Sequence, residues 1–263
     1  MARRREAGSF NYLYGPVSSW RLGSSLGIDP LSQPDKVCSF DCVYCQLRAT
    51  DRLQVRRRTF VTPLQVIGEL RRLPPVEIDY VTFSGRGEPC LAANLGSLIR
   101  AVKRVSDDRI AVITNSSLLF DEAVRADLCS ADLVVAKLDA CTEETFMKIN
   151  RPAPGLDLET TVRSLRELRS ECQGRLALQV MLIQQNLDEA EGIARLCAEI
   201  GPDEVQLNTP LRPCAVQPLS KTDLQEVRAL FPEPVVSVYD ATRREVSAVS
   251  GTDTLARRGK VAH

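Results

Sequence analysis

The chain has 263 residues, of which 44% are hydrophobic and 26% charged, values that are ordinary for a globular protein with a sizeable core. Basic and acidic residues are equal at 34 each, so no overall charge draws the chain towards nucleic acid or a membrane. No apolar stretch is long enough to span a bilayer and no signal peptide is evident, which predicts a cytoplasmic protein with no membrane partner.

Strand-like and helix-like segments alternate from about residue 63 onward, after a first strand expected around Ser24–Asp29. The later expected strands are apolar runs at Ile78–Phe83, Arg109–Thr114, Asp132–Leu138, Arg175–Ile183, Glu204–Asn208 and Val235–Tyr239. The expected helices lie between them, at Pro63–Leu73, Asn94–Val105, Asp121–Cys129, Leu158–Glu171, Leu187–Ile200 and Ser220–Leu230. Apolar strands separated by helices indicate an α/β protein with a parallel sheet.

Six or seven βα units can be counted in this pattern, which predicts a partial (β/α)6 barrel. A doubly wound open sheet is the alternative, because sequence alone does not fix the order of the strands. In either fold, ligands bind at the C-terminal ends of the strands. We expect an N-terminal extension over residues 1–30, a core over residues 31–240 and a C-terminal tail over residues 241–263, frayed from Gly251 onward.

Three of the nine cysteines are tightly grouped, and an odd total with the other six widely scattered does not resemble a disulfide framework. Cys38, Cys42 and Cys45 form a CxxxCxxC group in a loop after the first expected strand. Three thiolates can bind one side of an iron–sulfur cluster and leave one iron without a protein ligand. Structural zinc is the alternative, but it needs four ligands, and the only histidine is the final residue, His263.

This cysteine spacing, with the aromatic Tyr44 before the third cysteine, resembles the radical S-adenosylmethionine (SAM) superfamily. The resemblance implies that the three cysteines bind a [4Fe–4S] cluster whose fourth iron takes the amino and carboxylate groups of SAM. An electron from the reduced cluster then splits SAM into methionine and a 5′-deoxyadenosyl radical that abstracts hydrogen. Tyr44 would pack beside the adenine, and an electron donor such as ferredoxin or flavodoxin is implied as a partner.

The second strand of the expected core runs into Ser-Gly-Arg-Gly-Glu-Pro, a segment with small residues and one carboxylate. Gly85 and Gly87 allow backbone to approach a ligand closely, and Glu88 offers a carboxylate to an ammonium group. In the superfamily a Gly-Gly-Glu-type segment in this place binds the amino group of the methionine moiety. Here Arg86 stands between the two glycines, which departs from that pattern.

Polar residues also follow later strands, where the ends of a barrel converge on one face. By the same resemblance, Asn115, Lys137 and Asp139 hold the carboxylate and ribose hydroxyls of SAM. Gln179 and Met181, on the fifth expected strand, either face the adenine or fill the barrel.

The segment from Tyr14 to Asp29, together with Cys45–Leu47, resembles a group that includes the iron–sulfur oxidoreductases of tRNA wybutosine synthesis. That places tRNA first among the expected substrates, with a peptide, protein or small metabolite as the alternative. A non-catalytic zinc or redox-sensing protein is the alternative from another class. An arginine run that could meet phosphates, or pair with local acids, follows the cysteine loop: Arg48, Arg52, Arg56, Arg57 and Arg58.

Five of the remaining cysteines have expected places in this scheme. Cys129, Cys172 and Cys197 fall in helical patterns and are expected to be small buried hydrophobes. Cys90 and Cys214 come just past strand ends, where they could reach the pocket as a catalytic thiol or as a ligand of an auxiliary cluster.

Overall fold

A computed structural model describes residues 10–240 and 245–258, and one eight-stranded sheet organises them. The strands follow chain order across the sheet: β1 Leu13–Ser19, β2 Gly23–Ile28, β3 Tyr80–Phe83, β4 Arg109–Thr114, β5 Leu133–Lys137, β6 Arg175–Met181, β7 Glu204–Asn208 and β8 Val235–Ser237. β1 is antiparallel to β2, and all later neighbours are parallel. The order never reverses, which excludes the doubly wound alternative. The partial (β/α)6 barrel is confirmed.

Helices connect the parallel strands, and five of them (α1, α3, α4, α5 and α7) begin at a residue whose side chain caps the helix. They are α1 Pro63–Leu70, α2 Leu95–Lys103, α3 Glu122–Leu128, the short turn α4 Glu143–Thr145, α5 Leu158–Glu171, α6 Ala190–Ile200, α7 Lys221–Arg228 and α8 Gly251–Arg258. The Asp157 side chain accepts the N–H of Thr160 at the start of α5. Thr62 and Gln65 form a reciprocal capping box at the start of α1.

The positions of two apolar clusters show which end of the barrel is filled and which is open. The larger lies between the sheet and the helices, with fully buried side chains such as Leu98, Ile99 and Leu165. The smaller fills the barrel interior with Leu22, Tyr80, Ala111, Leu133, Val135 and Ala177. Most of these residues lie near the starts of their strands, so the base of the barrel is filled and the open mouth lies at the C-terminal strand ends.

The N-terminal strands belong to the sheet, which therefore begins before residue 31, where the sequence placed the start of the core. The strand expected around Ser24–Asp29 is β2, and β1 has no counterpart among the expected strands. The buried carboxylate of Glu69 on α1 accepts the backbone N–H groups of Asn11, Tyr12 and Leu13, and so fixes the entry to β1. β1 was not predicted because its small and polar residues interrupt any apolar run.

The C-terminal segment from Gly251 to Arg258 is a helix, α8, and the expectation of fraying is wrong for these residues. Its residues are hydrogen-bonded to β1 and to the segment just before it: the Gly15 N–H donates to Thr254 Oγ1 at 2.9 Å, and the Phe10 N–H donates to Asp253 at 2.8 Å. The rest of the expected tail, residues 241–244 and 259–263, lies outside the described residues. None of the described helices is both long and apolar enough to cross a membrane.

Cys129 and Cys172 are half-buried and joined by a disulfide, so the expectation that both are small buried hydrophobes is wrong. The two residues stand at the ends of α3 and α5, with their Cα atoms 4.8 Å apart, a separation that a disulfide spans. The two helix ends meet in space but are 43 residues apart in sequence, so the spacing of these cysteines did not predict the disulfide. Cys197 is fully buried on α6, as expected.

Candidate active site

The cysteine loop follows β2 and is held on both sides by backbone hydrogen bonds. The N–H of Val37 donates to the carbonyl of Arg86, and the N–H of Glu88 donates to the carbonyl of Val37, each at 3.0 Å. On the other side, the N–H of Val43 donates to the carbonyl of Ile149 at 2.9 Å. The loop is thus fixed between the segment after β3 and the turn after α4, at the open mouth of the barrel.

Each of the three cysteine sulfurs contacts one nitrogen donor. Asn115 Nδ2 lies 3.6 Å from Cys38 Sγ, and Asn150 Nδ2 lies 3.8 Å from Cys42 Sγ. Lys36 Nζ lies 3.0 Å from Cys45 Sγ, and the same ammonium group also donates to the carbonyl of Arg48. Lys36 and Asn150 were not foreseen from the sequence.

These donors suit sulfur atoms that carry negative charge, as the ligands of an iron–sulfur cluster do. Without iron, burial raises the pKa of Cys38 to about 12 and that of Cys42 to about 11, so both thiols hold their protons at neutral pH. Iron bound by these sulfurs would replace those protons. No group of three or more His, Cys, Asp or Glu among the described side chains could hold a single metal ion. A cluster needs no such group, because its thiolates bind separate irons.

Gly85 and Gly87 permit the close contact between the cysteine loop and the segment after β3. At Gly87, with φ of +148°, an added Cβ would lie 1.6 Å from the carbonyl oxygen of Val37. At Gly85, with φ of +153°, it would lie 2.4 Å from the carboxyl carbon of Asp29. Both positions therefore require glycine for the fold of this mouth, whatever they contact in a ligand.

Glu88 is 1% exposed, and both of its carboxylate oxygens are engaged by the protein. One oxygen accepts from Thr114 Oγ1 at 2.7 Å and from the N–H of Cys90 at 3.0 Å, and the other accepts from the N–H of Asn115 at 2.7 Å. Burial raises the pKa of Glu88, and these hydrogen bonds oppose that rise. Glu88 thereby ties the end of β3 to the end of β4 and positions Asn115 beside Cys38.

A second group of predicted residues forms one network around Asp139. Tyr44 donates its hydroxyl hydrogen to Asp139 Oδ2, and Asn150 Nδ2 donates to the same oxygen at 3.0 Å. Lys137 Nζ lies 3.3 Å from Asp139 Oδ1 and 5.0 Å from the centre of the Tyr44 ring. Burial, followed by the negative charge of Asp139, raises the pKa of Tyr44 well above its usual value.

The structure thus brings the predicted cofactor-binding residues together in two groups. Asn115, Glu88 and the two glycines stand beside Cys38, and Tyr44, Lys137 and Asp139 stand beside Cys42. Gln179 Oε1 accepts from Lys137 Nζ at 3.1 Å, and Met181 packs with Tyr44 and Ile149. Their contacts with SAM stay a prediction.

The two cysteines that were expected near the pocket have different surroundings. Cys90 is completely buried, with its Sγ 3.4 Å from Thr114 Oγ1, and burial raises its pKa well above the usual value. Cys214 is half-buried beside the Tyr44 and Met181 group, and its Sγ lies 3.2 Å from the carbonyl oxygen of Val216. Cys214 packs in the same apolar cluster as Tyr44 and Cys42 of the cysteine loop.

The arginine run divides into one paired side chain and four exposed ones. Arg57 donates to Asp127 and to the carbonyls of Cys90 and Ala92, which makes it part of the fold. The others are exposed: Arg48, Arg52, Arg56 and Arg58.

The sequence profile of the radical SAM superfamily matches residues 34–197, more than half of the chain, and the match includes all three clustered cysteines. The chain belongs to this superfamily. Radical SAM enzymes use a [4Fe–4S] cluster together with SAM, so the protein is an iron–sulfur enzyme that uses both. The residues described above fit such a group, through three sulfurs that each have a nitrogen donor.

Individual relatives agree with this membership. A UPF0026 protein from Synechocystis sp. is 40% identical over 210 residues, which are 80% of this chain and 79% of that protein. SuiB of Streptococcus suis, solved with bound SAM, superposes with a TM-score of 0.58 at 15% identity over 74% of this chain and 44% of SuiB. An archaeal TYW1 superposes with a TM-score of 0.52 at 16% identity over 78% of this chain and 70% of TYW1. At these identities the two structures show a shared fold.

Proposed function

We propose that the protein is a cytoplasmic radical SAM enzyme that modifies tRNA, with Cys38, Cys42 and Cys45 as the cluster ligands. The observation that carries the ligand assignment is the separate nitrogen donor at each sulfur. The cluster, when bound and reduced by a donor such as ferredoxin or flavodoxin, supplies the electron that cleaves SAM.

The proposed SAM site is the mouth formed by the ends of β3, β4 and β5. Asn115 and Lys137 are only half-buried there, as are Gly85 and Gly87, so these residues are accessible to a ligand. The buried members of the site have a supporting role: Glu88 holds the backbone of Asn115, whereas Tyr44 and Asp139 hold Asn150 and Lys137 beside Cys42. The residues that are accessible to a ligand are therefore held in place by a layer of buried groups that are hydrogen-bonded to one another.

Recognition of tRNA is supported by the exposed arginines at the border of the cysteine loop. The N–H of Gln54 donates to the carbonyl of Cys38 at 2.9 Å, which places Arg52 next to the loop, and Arg56 and Arg58 extend the positive charge. Because the chain has no net charge, this concentration of exposed cations is local. Cationic side chains beside an active-site mouth can hold the phosphate backbone while one nucleotide reaches the reacting atoms.

Salt-dependent binding of tRNA tests this function. If Arg52, Arg56 and Arg58 each meet one phosphate, affinity for tRNA falls roughly 20- to 40-fold between 50 and 200 mM salt. The triple glutamine variant of these residues binds more weakly at low salt, with a shallower salt dependence by about one slope unit per lost contact. The control is the matched change Arg104→Gln at the end of α2, which leaves binding unchanged. Equal affinity of the wild type and the triple variant at both salt concentrations contradicts tRNA recognition by this surface.

A further inference from the structure

The C-terminal helix α8 borders the open mouth of the barrel. Arg257 on this helix lines a cavity of about 610 Å³, and Gly85, which follows β3, lines the same cavity. Leu255 on the same helix lines a neighbouring cavity together with Lys36 and Leu47 of the cysteine loop. The helix therefore lies beside both the cysteine loop and the segment after β3 that belongs to the proposed SAM site.

The guanidinium group of Arg257 is held from several sides, and one of its partners is the carboxylate of Asp29, directly after β2. Its Nε lies 3.5 Å from Asp29 Oδ2. Its Nη2 donates to the carbonyl of Asn11 and, at 3.3 Å, to Ser32 Oγ, whereas its Nη1 donates to the carbonyl of Asp253 at 3.3 Å. The Arg257 side chain is 11% exposed and that of Asp29 is 0% exposed, so solvent and salt screen this ion pair only weakly.

Asp29 connects this arginine to the segment after β3. Its Oδ1 accepts two backbone N–H groups of the turn after β2, at 3.0 and 3.2 Å, and its Oδ2 accepts the N–H of Arg86 at 3.4 Å. The carboxylate also packs against Gly85, where an added Cβ would lie 2.6 Å from Oδ1. Burial raises the pKa of Asp29, and these hydrogen bonds and the charge of Arg257 oppose that rise. One carboxylate oxygen, Oδ2, thus faces both the Arg257 guanidinium and the backbone of Arg86.

We infer that Arg257 is a positioning residue of the SAM site, which acts through Asp29 to fix the Gly85–Arg86 backbone where SAM binds. Loss of the guanidinium leaves a completely buried carboxylate without its cationic partner, which is an unfavourable state. Reorientation or protonation of that carboxylate releases the N–H of Arg86 and shifts the wall that Gly85 forms. The inference deepens the proposed function and rests on it, since it takes Gly85 as part of the SAM site.

SAM binding to the anaerobically reconstituted holoenzyme tests the inference, with iron content measured in parallel. Arg257→Met weakens SAM binding roughly 3- to 30-fold by calorimetry, the range typical of residues that affect a site without contacting its ligand, and leaves iron content unchanged. Arg257→Lys retains most of the affinity, because it keeps a positive charge beside the carboxylate. The change that SAM causes in the EPR spectrum of the reduced cluster requires correspondingly more SAM in Arg257→Met and returns to normal in Arg257→Lys.

A double variant tests whether Arg257 acts through Asp29. Asp29→Asn keeps the volume of the side chain but places an amide N–H group against the N–H of Arg86, so it also weakens SAM binding. The combined variant binds SAM no more weakly than the more affected single variant, because both changes break the same connection. Separate roles for the two residues would instead multiply the two losses. Should Arg257→Met fail to fold, Asp29→Asn decides the question, with unchanged SAM affinity as the contrary result.

The matched control is Thr254→Val, which removes a different contact of the same helix, the hydrogen bond from the Gly15 N–H. It lowers the denaturation midpoint and leaves SAM affinity unchanged. Wild-type affinity in Arg257→Met, multiplied losses in the double variant, or an equal loss in Thr254→Val overturns the inference.

The proposed function can fail separately from this inference. If SAM binding depends on Arg257 and Asp29 as expected but tRNA does not bind, the positioning role stands and the RNA substrate does not. If the wild type binds SAM and tRNA but Arg257→Met binds SAM with unchanged affinity, the function stands and the positioning role does not. An iron-loaded wild type that binds no SAM overturns both.

Discussion

Lys36 provides a prediction about the electronic properties of the cluster. Its ammonium group lies 3.0 Å from Cys45 Sγ and is further held by the carbonyl of Arg48. Burial acts to lower the pKa of Lys36, but the sulfurs of Cys45, Cys38 and Cys42 together outweigh it, so the pKa lies above its usual value and the group stays charged. A positive charge stabilises the reduced cluster, which carries one more electron. Replacement of Lys36 by methionine therefore lowers the reduction potential.

The size of the shift follows from Coulomb's law. An added electron at roughly 6 Å from the ammonium group, with an effective dielectric constant of about 20, is stabilised by about 3 kcal/mol. Lys36 is half-exposed, and solvent screening reduces this value by about half. The remaining ~1.5 kcal/mol corresponds to ~60 mV for a one-electron couple.

An anaerobic redox titration followed by EPR measures this shift in the Lys36→Met variant. The matched control is Lys103→Met, a charge loss near the opposite end of the barrel, where Lys103 pairs with Asp132 just before β5. Iron content must equal that of the wild type in both variants. A potential for Lys36→Met that equals or exceeds the wild-type potential refutes the reasoning.

Three further predictions concern the frame of the site. Gly87→Ala lowers the unfolding free energy by at least about 3 kcal/mol and lowers iron loading, because the added Cβ clashes with a backbone carbonyl. The control Gly155→Ala has positive φ but open space around the added Cβ, and it lowers the unfolding free energy by only about 1–2 kcal/mol. Equal denaturation midpoints of the two variants would refute the steric argument. Glu88→Gln lowers unfolding free energy by about 1–3 kcal/mol, because an amide N–H then faces the N–H of Asn115; chemical denaturation measures it, and an unchanged midpoint contradicts it. Cys42→Ala loses the cluster but keeps the fold. Full iron loading of the variant would contradict the first part of this prediction, and loss of its circular dichroism signal would contradict the second.

The barrel was predictable from the sequence because its strands are buried on both faces. The strands at Arg109–Thr114 and Glu204–Asn208 were predicted with the same bounds that the structure gives them, since apolar runs between helices mark such strands clearly. β1 was missed because Gly15, Pro16 and its serines give no apolar run. The disulfide was missed because helix ends meet through the tertiary fold.

The candidate site was predictable only in part. The spacing of the cysteines carries the cluster prediction, because three ligands close in sequence can bind one group. The donor at Cys42 could not be foreseen, since Asn150 comes from a distant turn. Lys36, two residues before Cys38, is a charge that sequence reasoning could have noted. Glu88 was expected to face a ligand, but its carboxylate oxygens accept three hydrogen bonds within the protein.

We propose that three neighbouring thiolates hold a four-iron cluster at which SAM is cleaved. Reconstitution under oxygen-free conditions, followed by incubation with dithionite and SAM, tests it directly. We expect about four irons per chain and the release of 5′-deoxyadenosine, with both lost in Cys42→Ala. A protein that holds one zinc ion in place of iron, or an iron-loaded protein that releases no 5′-deoxyadenosine, would contradict it.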